Sequence, residues 1–186
     1  MDILHKRNLR RAKKVYNFYK EYLKKEKMGL DIGLGNGYIA REIQENSGIN
    51  MTGVDIIDYN KTKVKNILFD GKILPFKDKE FDIAFITEVL HHCDDPGAII
   101  DEAKRVSSKI VILEDIYVNR VHLYIMKAYD FIMNVRHGVN TPFNFHKHED
   151  WLKIFSKKSM KVIATKEYRF NPFYSPMKTQ FYYLDV

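Results

Sequence analysis

The chain has 186 residues, 45% of them hydrophobic, which is enough for one domain with a sizeable core. Its single cysteine, Cys93, excludes an internal disulfide and a cysteine-cluster zinc site, and suits a reducing compartment with a cytoplasmic location. No apolar run approaches the ~20 residues of a membrane span, residues 1–11 are too charged for a signal peptide's apolar region, and the net charge of +7 arises within residues 1–28.

In chain order, Leu9, Ala12, Val15, Tyr16, Tyr19, Tyr22 and Leu23 recur at helical spacing, which predicts an amphipathic helix over 6–26 with a cationic face. A strand over 27–32 then runs into Gly33, Gly35 and Gly37, followed by a helix over 37–47. Further strands are predicted at 51–57, 66–69, 81–87 and 109–115, with a loop or single helical turn over 58–65. Asp95 as N-cap and Pro96 at the first helical position start a helix over 95–107. Helices over 119–136 and 147–155 follow, and strands over 161–170 and 178–185 are expected to pair antiparallel at a sheet edge. The alternation predicts a parallel sheet with helices on both faces.

The segment Leu30 to Gly37 carries the chemistry. Alternate glycines let a strand turn into a helix while the backbone lies against a ligand, and an acidic residue about 20 positions on, Asp55, meets that ligand's ribose. The dinucleotide fingerprint G-x-G-x-x-G needs a third glycine where Tyr38 stands, so a different nucleoside is indicated.

The G-x-G-x-G turn preceded by Asp31, then Leu74-Pro75-Phe76, the run from Phe81 to His92, and Asp95-Pro96, resembles the class I S-adenosylmethionine-dependent methyltransferases. The likeness is to their small-molecule branch, which includes ubiquinone-biosynthesis methyltransferases; it is close from Met28 to Asp115 and looser beyond. It implies a Rossmann-like, doubly wound α/β fold, with a mostly parallel seven-stranded sheet and an antiparallel edge strand. A single methyltransferase domain over 1–186, with residues 1–26 as a basic N-terminal helix, is expected.

The same resemblance implies S-adenosylmethionine as cofactor. Gly33, Leu34, Gly35 and Gly37 would border its methionine and ribose portions, and Asp31 would reach the methionine amino group directly or through water. Asp55, with Ile56 beside it, would accept from both ribose hydroxyls, while Asp70 and Gly71 would meet the adenine. Thr87 and Glu88 fall where family members turn a carbonyl toward the methionine ammonium, and His92 begins the wall facing the substrate. The implied reaction is in-line attack by a substrate O, N, C or S on the sulfonium methyl, helped by alignment worth up to ~7–11 kcal/mol. For a phenol or enol acceptor, His91, His92, His122 and His146 are candidate bases, with His92 first; the alternative is a histidine that only shapes the pocket.

Other signals point elsewhere. Asn171-Pro172-Phe173-Tyr174 resembles a motif of methyltransferases acting on exocyclic base amines, but lies between the last two strands and reads as a turn. Cys93 follows His92 rather than a proline, which argues against a covalent cytosine mechanism. His91, His92, Cys93 and Asp94, or His146 and His148, match no usual zinc spacing, and neighbouring residues do not readily converge on one ion, so no metal is expected. Leu123, Met126, Tyr129, Phe131 and Met133 suit either a hydrophobic or aromatic acceptor or simple core packing.

Residues 6–27 carry three readings: the charged outer face of a lid helix, docking to an anionic membrane surface, or phosphate contacts with RNA. The functional expectation is methyl transfer to a small acceptor, with an RNA methyltransferase and a non-catalytic partner subunit of the same fold as alternatives.

Overall fold

The computed structural model describes residues 3–134, 141–168 and 176–186. Its elements alternate as α1 (Ile3–Tyr19), β1 (Met28–Ile32), α2 (Tyr38–Ser47), β2 (Asn50–Asp55), β3 (Lys65–Leu68), β4 (Phe81–Thr87), α3 (Pro96–Val106) and β5 (Ser107–Ile116). After these come α4 (Arg120–Asn134), α5 (His148–Lys157), β6 (Lys161–Tyr168) and β7 (Lys178–Asp185). The Asn171–Tyr174 turn, and the predicted ends of the fourth helix and sixth strand, lie outside the described residues.

Seven strands form one sheet in the order β3-β2-β1-β4-β5-β7-β6. The first five are parallel, while β7 is antiparallel to both its neighbours and is inserted between β5 and β6. The Rossmann-like, mostly parallel architecture with its antiparallel pair at one edge is therefore as expected. The 58–65 segment forms a loop without helix.

Two-residue alternation explains why both faces are covered. Ala84, Ile86, Ile110, Ile112, Tyr182 and Leu184 pack with Trp151 and Phe155 of α5 and Ile100 of α3. Their neighbours Ile83, Phe85, Val111, Leu113 and Phe181 pack on the opposite face with Ala12, Val15 and Tyr19 of α1 and Ile39 and Ile43 of α2. At about 25 cal/mol per Å² of apolar area, burial on this scale is the dominant folding term.

Two local differences from the expected elements have physical causes. The first helix ends at Tyr19 rather than near 26, followed by a tight 3-10 turn at Lys20–Tyr22. There Glu26 Oε2 accepts the N–H groups of Lys24 and Lys25 at 2.8 and 2.9 Å, a side-chain partner that competes with helical pairing. At the start of α3 the expected cap is present: the Asp95 side chain accepts from the Ala98 N–H at 3.0 Å, with Pro96 at the first position. No helix among the described residues is long and apolar enough to cross a membrane.

Candidate functional site

The carboxyl ends of β1, β4 and β5 open into a cavity of about 1100 Å³, walled by α1 on one side and α4 on the other. Of the predicted cofactor residues, Asp31, Gly33, Leu34, Gly35, Thr87 and Glu88 line it, with the candidate bases His91 and His92 and the α4 residues Tyr129 and Met133. The Gly33 and Leu34 N–H groups both donate to the Val54 carbonyl, at 2.9 and 3.0 Å, which ties the turn to β2. Gly33 has φ 78°, and a Cβ there would stand 2.4 Å from Val89 Cγ2, so the position requires glycine. Gly35 differs: a Cβ would meet nothing nearer than the Gly33 carbonyl at 4.0 Å, so its outer side is open for a ligand to lie on the backbone. Its N–H donates to Asp55 Oδ2 at 2.8 Å, while Asp55 Oδ1 accepts from the Ile57 N–H at 3.2 Å.

Gly37, Asp55, Ile56, Asp70 and Gly71 do not line the cavity. Asp55 ends β2 with Ile56 just past it, and Asp70 and Gly71 stand just past β3, beside the turn that Asp55 holds. Ile56 is 58% exposed, and a Cβ on Gly71 would lie 3.2 Å from its side chain, so the two form one open surface. Asp70 Oδ1 accepts from the N–H groups of Lys72 and Ile73, which hold its carboxyl below the usual carboxylate range.

The floor of the cavity is acidic. Burial, followed by repulsion from Asp55, pushes Asp31 up to about 8, with Arg11 opposing. Asp115 is likewise pushed up to about 8 by burial and then by Glu88, and it accepts from Thr179 Oγ1 at 2.6 Å. Glu88 sits at φ 56°, a left-handed conformation costing on the order of 1–3 kcal/mol in a non-glycine residue. Its carboxylate accepts from Arg11 at 2.7 Å; burial works against that guanidinium, but Glu88 holds its pKa above the ordinary value. The Tyr19 hydroxyl meets Thr87 Oγ1 at 3.0 Å. Lys6, Arg7, Arg10 and Lys14 of α1 supply a cationic rim opposite this acidic floor.

Sequence reasoning missed a second buried group. Glu114 Oε2 accepts from the Leu90 N–H at 2.8 Å, and its Oε1 accepts from the Asp115 N–H at 2.9 Å and pairs with His91 Nδ1. Burial opposes the imidazolium, yet Glu114 holds His91 up to about 9, and His91 in turn holds the Glu114 carboxyl down. Asp130 of α4 completes the group, its Oδ1 3.9 Å from the Nε2 atoms of both His91 and His92. The neighbours His91 and His92 thus both face a third residue far along the chain, which local spacing does not reveal. His122 instead accepts from the Val118 N–H at 3.3 Å through Nδ1 and donates from Nε2 to the Pro176 carbonyl at 2.7 Å, and His146 packs edge-on against Trp151, both outside the cavity lining. Cys93 is pushed up to about 12 by burial, so its thiol stays protonated.

These buried acids carry a pH dependence. Asp31 and Asp115 titrate near 8 when folded and near 3.9 when unfolded, so the folded state holds more protons across that window. Their stabilisation is present at low pH and lost as pH rises through about 8; His91, at about 9, adds in the same direction above pH 6.5. The ligand-free Tm is expected to fall by at least about 5 °C from pH 5.5 to 8.5, read by differential scanning fluorimetry. A flat or rising profile overturns this reading.

Residues 30–110 match the family described as a methyltransferase domain. With the seven-stranded topology, that match makes the chain similar, over those residues, to the class I S-adenosylmethionine-dependent methyltransferases, whose fold it shares. An uncharacterized protein of Methanocaldococcus jannaschii is 38% identical over 87 residues, 45% of this chain and 42% of that protein. A tRNA U34 carboxymethyltransferase of Nautilia profundicola is 31% identical over 101 residues, 48% of this chain and 34% of that enzyme. The chain therefore matches less than half the length of these curated relatives. A Methanosarcina mazei structure described as a SAM-dependent methyltransferase superposes with a TM-score of 0.68 at 18% identity, covering 91% of this chain and 97% of the other.

Proposed function

We propose that this protein binds S-adenosylmethionine and transfers its methyl group to a small acceptor carrying an anionic group on a hydrophobic or aromatic body. The observation that carries the reading is the polarity of the cavity: a floor of Asp31, Glu88 and Asp115 against a rim of α1 cations. A donor with a sulfonium and an ammonium suits that floor, because its positive charges draw Asp31 and Asp115, raised to about 8 without it, into the ionised form. The glycine turn and Asp55 take the ribose, the open surface of Ile56 and Gly71 takes the adenine face, and Asp70 takes its amine. Asp31 takes the methionine ammonium.

Charge on the sulfonium disperses as the methyl leaves, so the carboxylates stabilise the bound donor more than the transition state. Rate then comes from holding the acceptor in line with the S–CH3 bond between α1 and α4. The electron pair of the acceptor atom forms the new bond, the S–C pair returns to sulfur, and the acceptor's proton goes to His92 or to water. His91, charged up to about 9, is the poorer base of the two.

Titration calorimetry with S-adenosylhomocysteine is expected to show one site; no binding by the folded protein sinks the proposal. A second reading, an RNA acceptor, is favoured by the exposed Lys6, Arg7, Arg10 and Lys14 and by the tRNA-modifying relative. Affinity for tRNA that falls steeply with salt supports it, and salt-insensitive or absent binding rejects it.

A further inference from the structure

We propose that His91 Nε2, His92 Nε2 and the Asp130 carboxylate are the protein ligands of a divalent transition metal of the zinc class, with its remaining positions facing the cavity. All three offer a donor atom within 4.8 Å of the others. A tetrahedral ion with bonds of about 2.0–2.1 Å spaces its donors about 3.4 Å apart, so closure needs no pair to contract by more than about 1.4 Å. Rings on a short turn and a carboxylate on a facing helix can make that adjustment by small rotations.

Two independent features point to a cation there. Asp130 is 4% exposed, and its Oδ2 has no hydrogen-bond partner among the described residues, while Asn134 Nδ2 donates to Oδ1 at 2.6 Å. An orphaned carboxylate oxygen in the interior costs several kcal/mol unless an ion or proton satisfies it, and the same carboxylate brings its other oxygen, Oδ1, within 3.9 Å of both imidazoles. Second, His91 is already held from behind by Glu114, the carboxylate–histidine arrangement that fixes a metal-bound ring and leaves Nε2 facing forward. Two imidazoles and one carboxylate form a borderline set that suits zinc, iron or nickel over calcium or magnesium.

The position gives the ion a use, which rests on the methyl-transfer reading. Ion binding displaces the Nε2 proton of His91 to solvent and occupies Nε2 of His92, so with the ion bound a hydroxyl or thiol acceptor gives its proton to water and not to His92; its lone pair then attacks the methyl, and the S–C electron pair leaves with sulfur. An acceptor would thus be held and ionised at one point, beside the acidic floor that holds the donor.

The test uses the full chain without an affinity tag, stripped with chelator, loaded with Zn²⁺ or Co²⁺ and desalted. Elemental analysis is expected to give one ion per chain, and Co²⁺ should show the intense visible bands of a low-symmetry site. His92→Ala and Asp130→Asn should each weaken binding about tenfold or more, and Glu114→Gln about 10–100-fold, with unchanged far-UV circular dichroism. His92 is partly exposed, so its variant keeps the test alive if a buried substitution does not fold. Failure of the wild type to retain metal, or wild-type affinity in either folded ligand variant, overturns the site. A protein that binds S-adenosylhomocysteine but no metal overturns this inference and leaves the donor reading standing.

Discussion

Asp55→Ala is expected to weaken S-adenosylhomocysteine binding about 100-fold in titration calorimetry while the protein stays folded. In the ligand-free protein the carboxylate takes the N–H groups of Gly35 and Ile57, so it sets the turn, and on the proposed reading it also accepts from the ribose. A hydrogen bond to a charged acceptor is worth roughly 1.5–3 kcal/mol, so losing two ribose hydroxyls costs about 3 kcal/mol or more, and 1.4 kcal/mol is a factor of ten. Asp55→Asn separates the contributions: its amide carbonyl still accepts from Gly35, so a loss of only about tenfold is expected. If Asp55→Ala binds within threefold of wild type, the ribose lies elsewhere.

Glu114→Ala should destabilise the protein by about 3–5 kcal/mol in urea denaturation, because it strips the counter-charge from a buried imidazolium. The side chain is fully buried and serves the Leu90 and Asp115 N–H groups as well as His91, so removal leaves three donors without their acceptor. Glu114→Gln keeps the shape and an acceptor oxygen, and about half that loss is expected. A loss below 1 kcal/mol for the alanine variant shows that His91 is neutral in the folded state.

What could be read beforehand depended on how local each signal is. Alternating Ile83, Phe85 against Ala84, Ile86 fixes a strand and its two faces within a few residues, and the turn Gly33 to Gly37 declares its conformation through residue type alone. Arg11, Glu114 and Asp130 carry no such signature. Their partners lie 77, 23 and about 40 positions away, and a charge at a strand end or on a helix looks like a solvated one until the fold closes over it. One trace was available: Asp130 follows Met126 by one helical turn, and both are buried, while the larger Tyr124, Phe131 and Ile132 face out at 71%, 51% and 67% exposure. Of the apolar residues named for α4, Met126 is buried and Tyr129 and Met133 line the cavity, while Phe131 faces out and the charged Asp130 goes inward beside the histidines. The basic helix was misjudged for a related reason. Its charges mostly stay exposed as expected, but Arg11 turns into the cavity to meet Glu88.

The placement of β7 between β5 and β6 also fixes an order of assembly. Its register joins Lys109 to Asp185 and Lys161 to Asp185 at one end of the sheet, so β5 lacks its second neighbour and β6 its only one until the chain has been synthesised through β7. Until then β5, whose Ile110 to Leu113 are all fully buried in the finished protein, presents a bare apolar edge. On the ribosome, the first five strands can gather as they emerge, but the cavity wall built on β5 stays unfinished for some seventy residues more, an interval in which a chaperone has an unpaired edge to hold.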